Sequence, residues 1–257
     1  MTPLDRAHAA MEAAPEDDAA RLRFYERLAD GELFLLLARD SDGETLDPDV
    51  FDTADGRFVL VFDREDRLAA FTGRPAPYAA LSGRSVIAML AGQGLGLALN
   101  PEAAPSATLL GAEAVDWLHA TLARVPDTVE TRPEEVSAPR GLPEVLLGAL
   151  DTKLATARGL ASSAYLAGVR YDGGGQGHLL AFVGALPGAE PALARAAGEA
   201  LTFSGIEAGT LDVAFLAAAD PLAARLARVG LRFDIPKAEA AAPVAPGMDP
   251  ERPPKLR

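Results

Sequence analysis

The sequence predicts an α/β (α+β) protein of two small mixed-sheet domains, with helices packed on the sheets and a disordered C-terminal tail. Three observations predict it. Short runs rich in Leu, Val and Phe alternate with amphipathic stretches, as strands do when helices cover their faces. Proline-rich segments without periodicity interrupt this alternation midway and again at the end. The chain has 257 residues, more than the roughly 100 to 150 that one hydrophobic core usually serves. The expected division is residues 1–125 as the first domain, 126–142 as a Pro-rich linker, 143–235 as the second domain and 236–257 as the tail.

In the first domain, Leu4–Ala14 and Asp18–Ala29 read as helices separated by Pro15, which suits the first turn of the second one. Leu22, Tyr25 and Leu28 mark the apolar face of that helix, with Arg21, Arg23, Glu26 and Arg27 opposite. Glu32–Ala38 is a near-continuous apolar run and therefore a central strand. Arg57–Phe62 is a second strand, followed by Asp63 as the cap of a helix running to Phe71. Gly83–Ala91 reads as a short helix, Leu95–Leu99 as a strand and Ala112–Val125 as a closing helix. Within it Trp117 shares helical spacing with Val115, Leu118 and Leu122, which makes it a core or interface anchor.

Pro126, Pro133, Pro139 and Pro143 block regular structure in the linker. Beyond it, Glu144–Arg158 is a helix, and Ser163–Tyr171 pairs with His178–Gly184 as an antiparallel hairpin across the glycine-rich loop 173–177. A helix over Pro191–Leu201, a strand over Leu211–Leu216, a helix over Pro221–Val229 and a strand over Leu231–Asp234 complete the domain. After Pro236 the sequence is Ala, Pro and charge without apolar periodicity, the composition of a disordered tail.

Composition narrows the function. The absence of cysteine removes disulfides, thiolate nucleophiles and Cys-ligated metals. A net charge of −13 with no large basic cluster argues against nucleic acid as a partner. No apolar run approaches the length of a membrane span, and acids at Asp5 and Glu16–Asp18 precede any signal-like stretch, so a cytoplasmic location is expected. His8, His119 and His178 lie on separate elements without metal-ligand spacing, and no cofactor is expected. Gly-x-Ser-x-Gly is missing. The glycines of 173–177 lead into a strand where a phosphate loop would lead into a helix, so they read as a turn.

Three stretches are similar, in order and spacing as well as in residues, to those of a known family: Phe24–Phe34, Phe58–Arg64 with Leu68, and Gly94–Pro101. On these residues 4–125 resemble the N-terminal domain of the SseB family. Residues 143–235 resemble its C-terminal domain through Val169–Asp172 and Val229–Phe233. The resemblance implies a link to serine sensitivity, a phenotype, and carries no catalytic residues over.

The reading that follows is a non-catalytic cytoplasmic protein that binds or regulates another protein. The alternative is an enzyme or sensor for a small polar metabolite such as an amino acid. A ligand site is expected first where the strand 95–99 ends, with Asn100 and Pro101 turning the chain and Arg84 nearby. No catalytic or metal-binding residue is assigned.

Overall fold

The computed structural model describes residues 1–40, 45–123, 133–172, 175–205 and 211–238. The expected tail therefore lies outside the described residues from 239 onward, as do Gly173 and Gly174 of the glycine-rich loop. The described residues divide into two compact units: those within Met1–Pro126 and Gly198–Ala208, and those within Asp127–Ala197 and Gly209–Arg257.

In the first unit, α1 (Pro3–Ala13) opens on a reciprocal cap in which Thr2 Oγ1 accepts the Asp5 N–H and the Asp5 carboxylate accepts the Thr2 N–H. Asp17 caps α2 (Asp18–Asp30) by accepting the Ala19 N–H. Because Asp17 takes that position, Pro15 lies in the turn before the cap and outside the first helical turn. The strands and helices that follow are β1 (Glu32–Leu36), β2 (Val50–Thr53), β3 (Gly56–Phe62), α3 (Glu65–Thr72), β4 (Tyr78–Ser82), α4 (Gly83–Leu90), β5 (Gly96–Leu99), β6 (Thr108–Leu110) and α5 (Ala112–Leu122).

The sheet runs β4-β1-β3-β5-β6, with β2 beside β3. Only β3 and β5 are parallel. Strand alternation sends Leu33, Leu35, Val59, Val61, Leu97 and Leu99 into one core with residues of α1, α2, α4 and α5. Phe58, Leu60 and Phe62 point the other way, under Leu68 of α3. The continuous apolar runs predicted for β1 and β3 thus reflect a sheet covered on both faces.

Further readings of the first unit change. The buried stripe of α2 centres on Ala20, Phe24 and Leu28, spaced four apart, with Leu22 and Tyr25 at its margin; Glu26, read as polar-facing, is buried because α2 packs against both α1 and α4. Asp63 does not cap α3, whose N-cap is Arg64 without a side-chain bond, because its carboxylate is held by Thr2 and Arg67. Trp117 is 43% exposed. At roughly 100° per residue it stands well off the stripe that Val115, Leu118 and Leu122 bury.

The second unit contains β7 (Pro133–Ser137), α6 (Glu144–Thr156), β8 (Ser163–Tyr171), β9 (Gln176–Val183), α7 (Glu190–Phe203), whose last residues fall in the first unit, β10 (Leu211–Leu216), α8 (Pro221–Val229) and β11 (Leu231–Asp234). Its sheet runs β10-β9-β8-β11, with β7 on the same edge of β8 as β11. The β8–β9 pair is the expected antiparallel hairpin, and β10 joins β9 in parallel. One face packs Ala167, Val169, Leu179 and Ala181 against Leu222 and Leu226 of α8. The segment expected to hold no regular element supplies β7. Pro133 is its first residue, where a missing N–H costs no ladder bond, and Val136 packs into the α8 core.

Candidate functional site

The parallel pairing of β3 with β5 sets Asp63 and Asn100 side by side at the C-terminal ends of the two strands. Asn100 adopts the left-handed region, φ 46°, which its short amide side chain tolerates. It is fully buried, and both ends of the amide are engaged: Oδ1 accepts the Asp63 N–H at 3.1 Å and Nδ2 donates to Ser106 Oγ at 2.9 Å. Ser106 Oγ donates in turn to Asp5 Oδ1 at 2.5 Å.

Arg67 closes the cluster. It donates to Asp5 through Nη1 at 2.9 Å and Nη2 at 2.6 Å, and Nη1 also reaches Asp63 Oδ1 at 2.6 Å. Thr2 Oγ1 donates to Asp63 Oδ2 at 2.6 Å. The Asp5 side chain is 1% exposed and that of Asp63 6%, so both charges rely on these donors in place of water. The Arg67 hydrogen bonds, with those from Ser106 and Thr2, hold the Asp5 carboxyl far below the usual carboxylate range despite the opposing effect of burial. Arg67 is raised in return, chiefly by its bond to Asp5. A general acid or base works best with a pKa near the working pH, and this cluster moves its carboxylate away from it. Chemically the arrangement is a lock joining α1, α3 and the ends of β3 and β5.

Arg84 has other partners. From the first turn of α4 it makes a fork onto Glu199, at 2.7 and 2.6 Å, and a bond to Asp30 at 2.5 Å. Those bonds, Glu199 first, raise its already high pKa. Among the described residues Asn100 and Arg84 thus share no hydrogen-bond partner, and Pro101 follows Asn100 half-buried in the turn. Among the described residues no group of three His, Asp or Glu side chains is arranged to hold a metal ion. His8 is buried edge-on to Phe24, His119 lies exposed on α5, and His178 sits on β9.

A surface groove of about 350 Å³ lies between α2 and α5. Trp117 and Tyr25 form its wall, their ring centroids 5.6 Å apart at 53°. Tyr25 rests in turn on Phe24 at 5.7 Å, and Phe24 on His8 at 5.5 Å, so the exposed indole is the outer end of an aromatic series rooted in the core. Leu22 and Ala114 lie beneath, and the Asp18–Arg21 ion pair, 2.6 Å, borders the groove. The sequence places Tyr25 on the apolar face of its helix and offers Trp117 as a core or interface anchor, but nothing in it brings the two together. The available signal was angular: Tyr25 lies at the margin of the α2 stripe and Trp117 well off the α5 stripe.

Compared with known families, residues 4–117 match the model of the SseB protein N-terminal domain. Comparison with curated proteins and with solved structures gives no match.

Proposed function

We propose that this chain, with its SseB-like N-terminal domain, is a non-catalytic cytoplasmic protein that acts by binding another protein, and that the Tyr25–Trp117 groove receives the partner. The observation that carries this reading is Trp117, the single tryptophan of the chain, held 43% exposed against Tyr25. Trp, Tyr and Arg dominate the residues that supply binding energy at protein interfaces. An aromatic ring already fixed by its neighbours loses little freedom when a partner covers it. Leu22 and Ala114 below the rings favour an apolar side chain from the partner, and the Asp18–Arg21 pair supplies polar contacts at the rim. We extend the family reading to the second unit on the likeness of Val169–Asp172 and Val229–Phe233 to the family's C-terminal domain.

The test compares the tagged protein with its Trp117→Ala and Tyr25→Ala variants in purifications under mild conditions. A stoichiometric protein retained by the parent and lost by both variants, at unchanged thermal stability, supports the reading. The emission of Trp117 should then shift to shorter wavelength when that purified protein is added. Recovery of no stoichiometric partner, or equal recovery with Trp117→Ala, would overturn it.

A further inference from the structure

We infer that the second unit carries a binding site for a small oxyanion-bearing metabolite, a carboxylate or a phosphate, on the sheet face formed by β7, β8 and β9. The register places two polar rows across these strands. Ser137, Gly168 and His178 lie directly opposite one another in the first row, and Glu135, Arg170 and Gln176 in the second. Residues opposite one another share a face of the sheet, so both rows look into the same hollow of about 780 Å³. That volume lies within the range of small-molecule sites.

Gly168 is what makes the hollow. A Cβ at this position would stand 2.9 Å from Ser137 Oγ, so any side chain would fill the space between the Ser137 and His178 side chains. The Gln176 amide and the guanidinium groups of Arg140 and Arg170 supply donors around that space, while the Ser137 hydroxyl donates to the Gly168 carbonyl at 3.5 Å. His178 Nε2 donates to the Arg140 carbonyl at 3.1 Å, which fastens the chain after β7 where Arg140 lines the hollow.

Charge selects the ligand. Two guanidinium groups face one carboxylate, Glu135, on a protein whose net charge is −13. An anion would find local attraction there against the general field. Glu135 already shows what Arg170 accepts, since the two form an ion pair. Their side chains are 66% and 42% exposed, and pairs so exposed to water are held weakly. A ligand oxyanion can therefore take the Glu135 position and bridge Arg170 to Arg140, the fork geometry of arginine suiting either carboxylate or phosphate. The site is built from side chains of the sheet face, and so differs from a backbone phosphate loop, in which glycines lead into a helix. It does not depend on the protein-binding groove of the first unit.

The experiment is a pair of NMR titrations of the full chain at constant ionic strength, one with inorganic phosphate and one with succinate. The site predicts saturable shifts of backbone amides in 135–140, 168–170 and 176–178, and the tighter anion identifies the class. Arg140→Glu, at an exposed position, should weaken binding about tenfold or more at unchanged thermal stability. Glu135→Gln removes the internal competitor and should tighten binding by roughly threefold. No saturable shift with either anion up to about 10 mM would overturn the inference. So would equal affinity in Arg140→Glu, or shifts confined to other residues.

Discussion

The Asp5 carboxylate caps α1 through Oδ2, and both of its oxygens accept the fork of Arg67. Its proton affinity is depressed by those bonds, so the stabilisation is complete above the usual carboxylate pKa near 3.9 and is lost as pH falls through and below it. Asp5→Asn should cost about 3 kcal/mol at pH 7, since Arg67 loses half of a buried pair. It should also flatten the fall of stability below about pH 5. Urea unfolding at pH 7 and pH 3 checks this; equal losses in parent and variant between the two pH values would refute it. Asn100 offers a second comparison. Ala and Gly both forfeit the bonds to Asp63 and Ser106, but Ala must also hold φ 46°. Asn100→Ala should therefore be less stable than Asn100→Gly by about 1 kcal/mol, read from the two urea midpoints. Asn100 was legible in the sequence as a turn residue after a strand. Its cluster was not, because Asp5, Arg67 and Ser106 come from separate segments, and no periodicity records that Asp5 and Ser106, 101 residues apart, meet.

At the scale of elements, α4 can follow β4 directly only because its first residue is Gly83. The Gly83 N–H donates to the Gly31 carbonyl at 2.8 Å, and a Cβ at Gly83 would fall 1.9 Å from the Leu28 carbonyl oxygen. That obstacle is backbone of α2, which no rotamer can move, so Gly83→Ala should destabilise by about 3 kcal/mol, the upper part of the overpacking range. A urea midpoint within error of the parent would show that α2 and α4 can separate without loss. The elements legible in the sequence are those that bury a full stripe or a continuous run. The β8–β9 hairpin, α8 and β11 lie where periodicity and turn residues predicted them. Strands β2 and β4 hold only exposed and half-buried residues, and β6 and β7 bury one residue each, Leu110 and Pro133. Their pairing is dictated by the edges of β3, β1, β5 and β8 and leaves little hydrophobic pattern of its own. Of the two roles that helical spacing with Val115, Leu118 and Leu122 allowed Trp117, core or interface anchor, its exposure removes the first, because its angle around α5 carries it to the surface.

For the whole molecule, a charge of −13 sets two opposing effects of salt. Self-repulsion destabilises the folded chain more than the expanded one, and salt relieves it as the Debye length shrinks from about 30 Å at 0.01 M to about 8 Å at 0.15 M. Salt also weakens attractive pairs. The exposed ones, such as Arg21–Asp18, Arg39–Asp47, Arg64–Asp66 and Arg232–Asp234, have little to lose. The pairs that matter most, Arg67 with Asp5 and Asp63 and Arg84 with Glu199, are shielded from screening by burial of their carboxylates. Relief of repulsion should therefore dominate, and raising sodium chloride from about 0.01 to 0.15 M at neutral pH should lift Tm by about 2 °C. The buffer must carry no phosphate or carboxylate, since an anion held by Arg140 and Arg170 would add its own stabilisation. A fall in Tm under these conditions would mean that the surface pairs act as a cooperative network, each contributing more than its exposure allows.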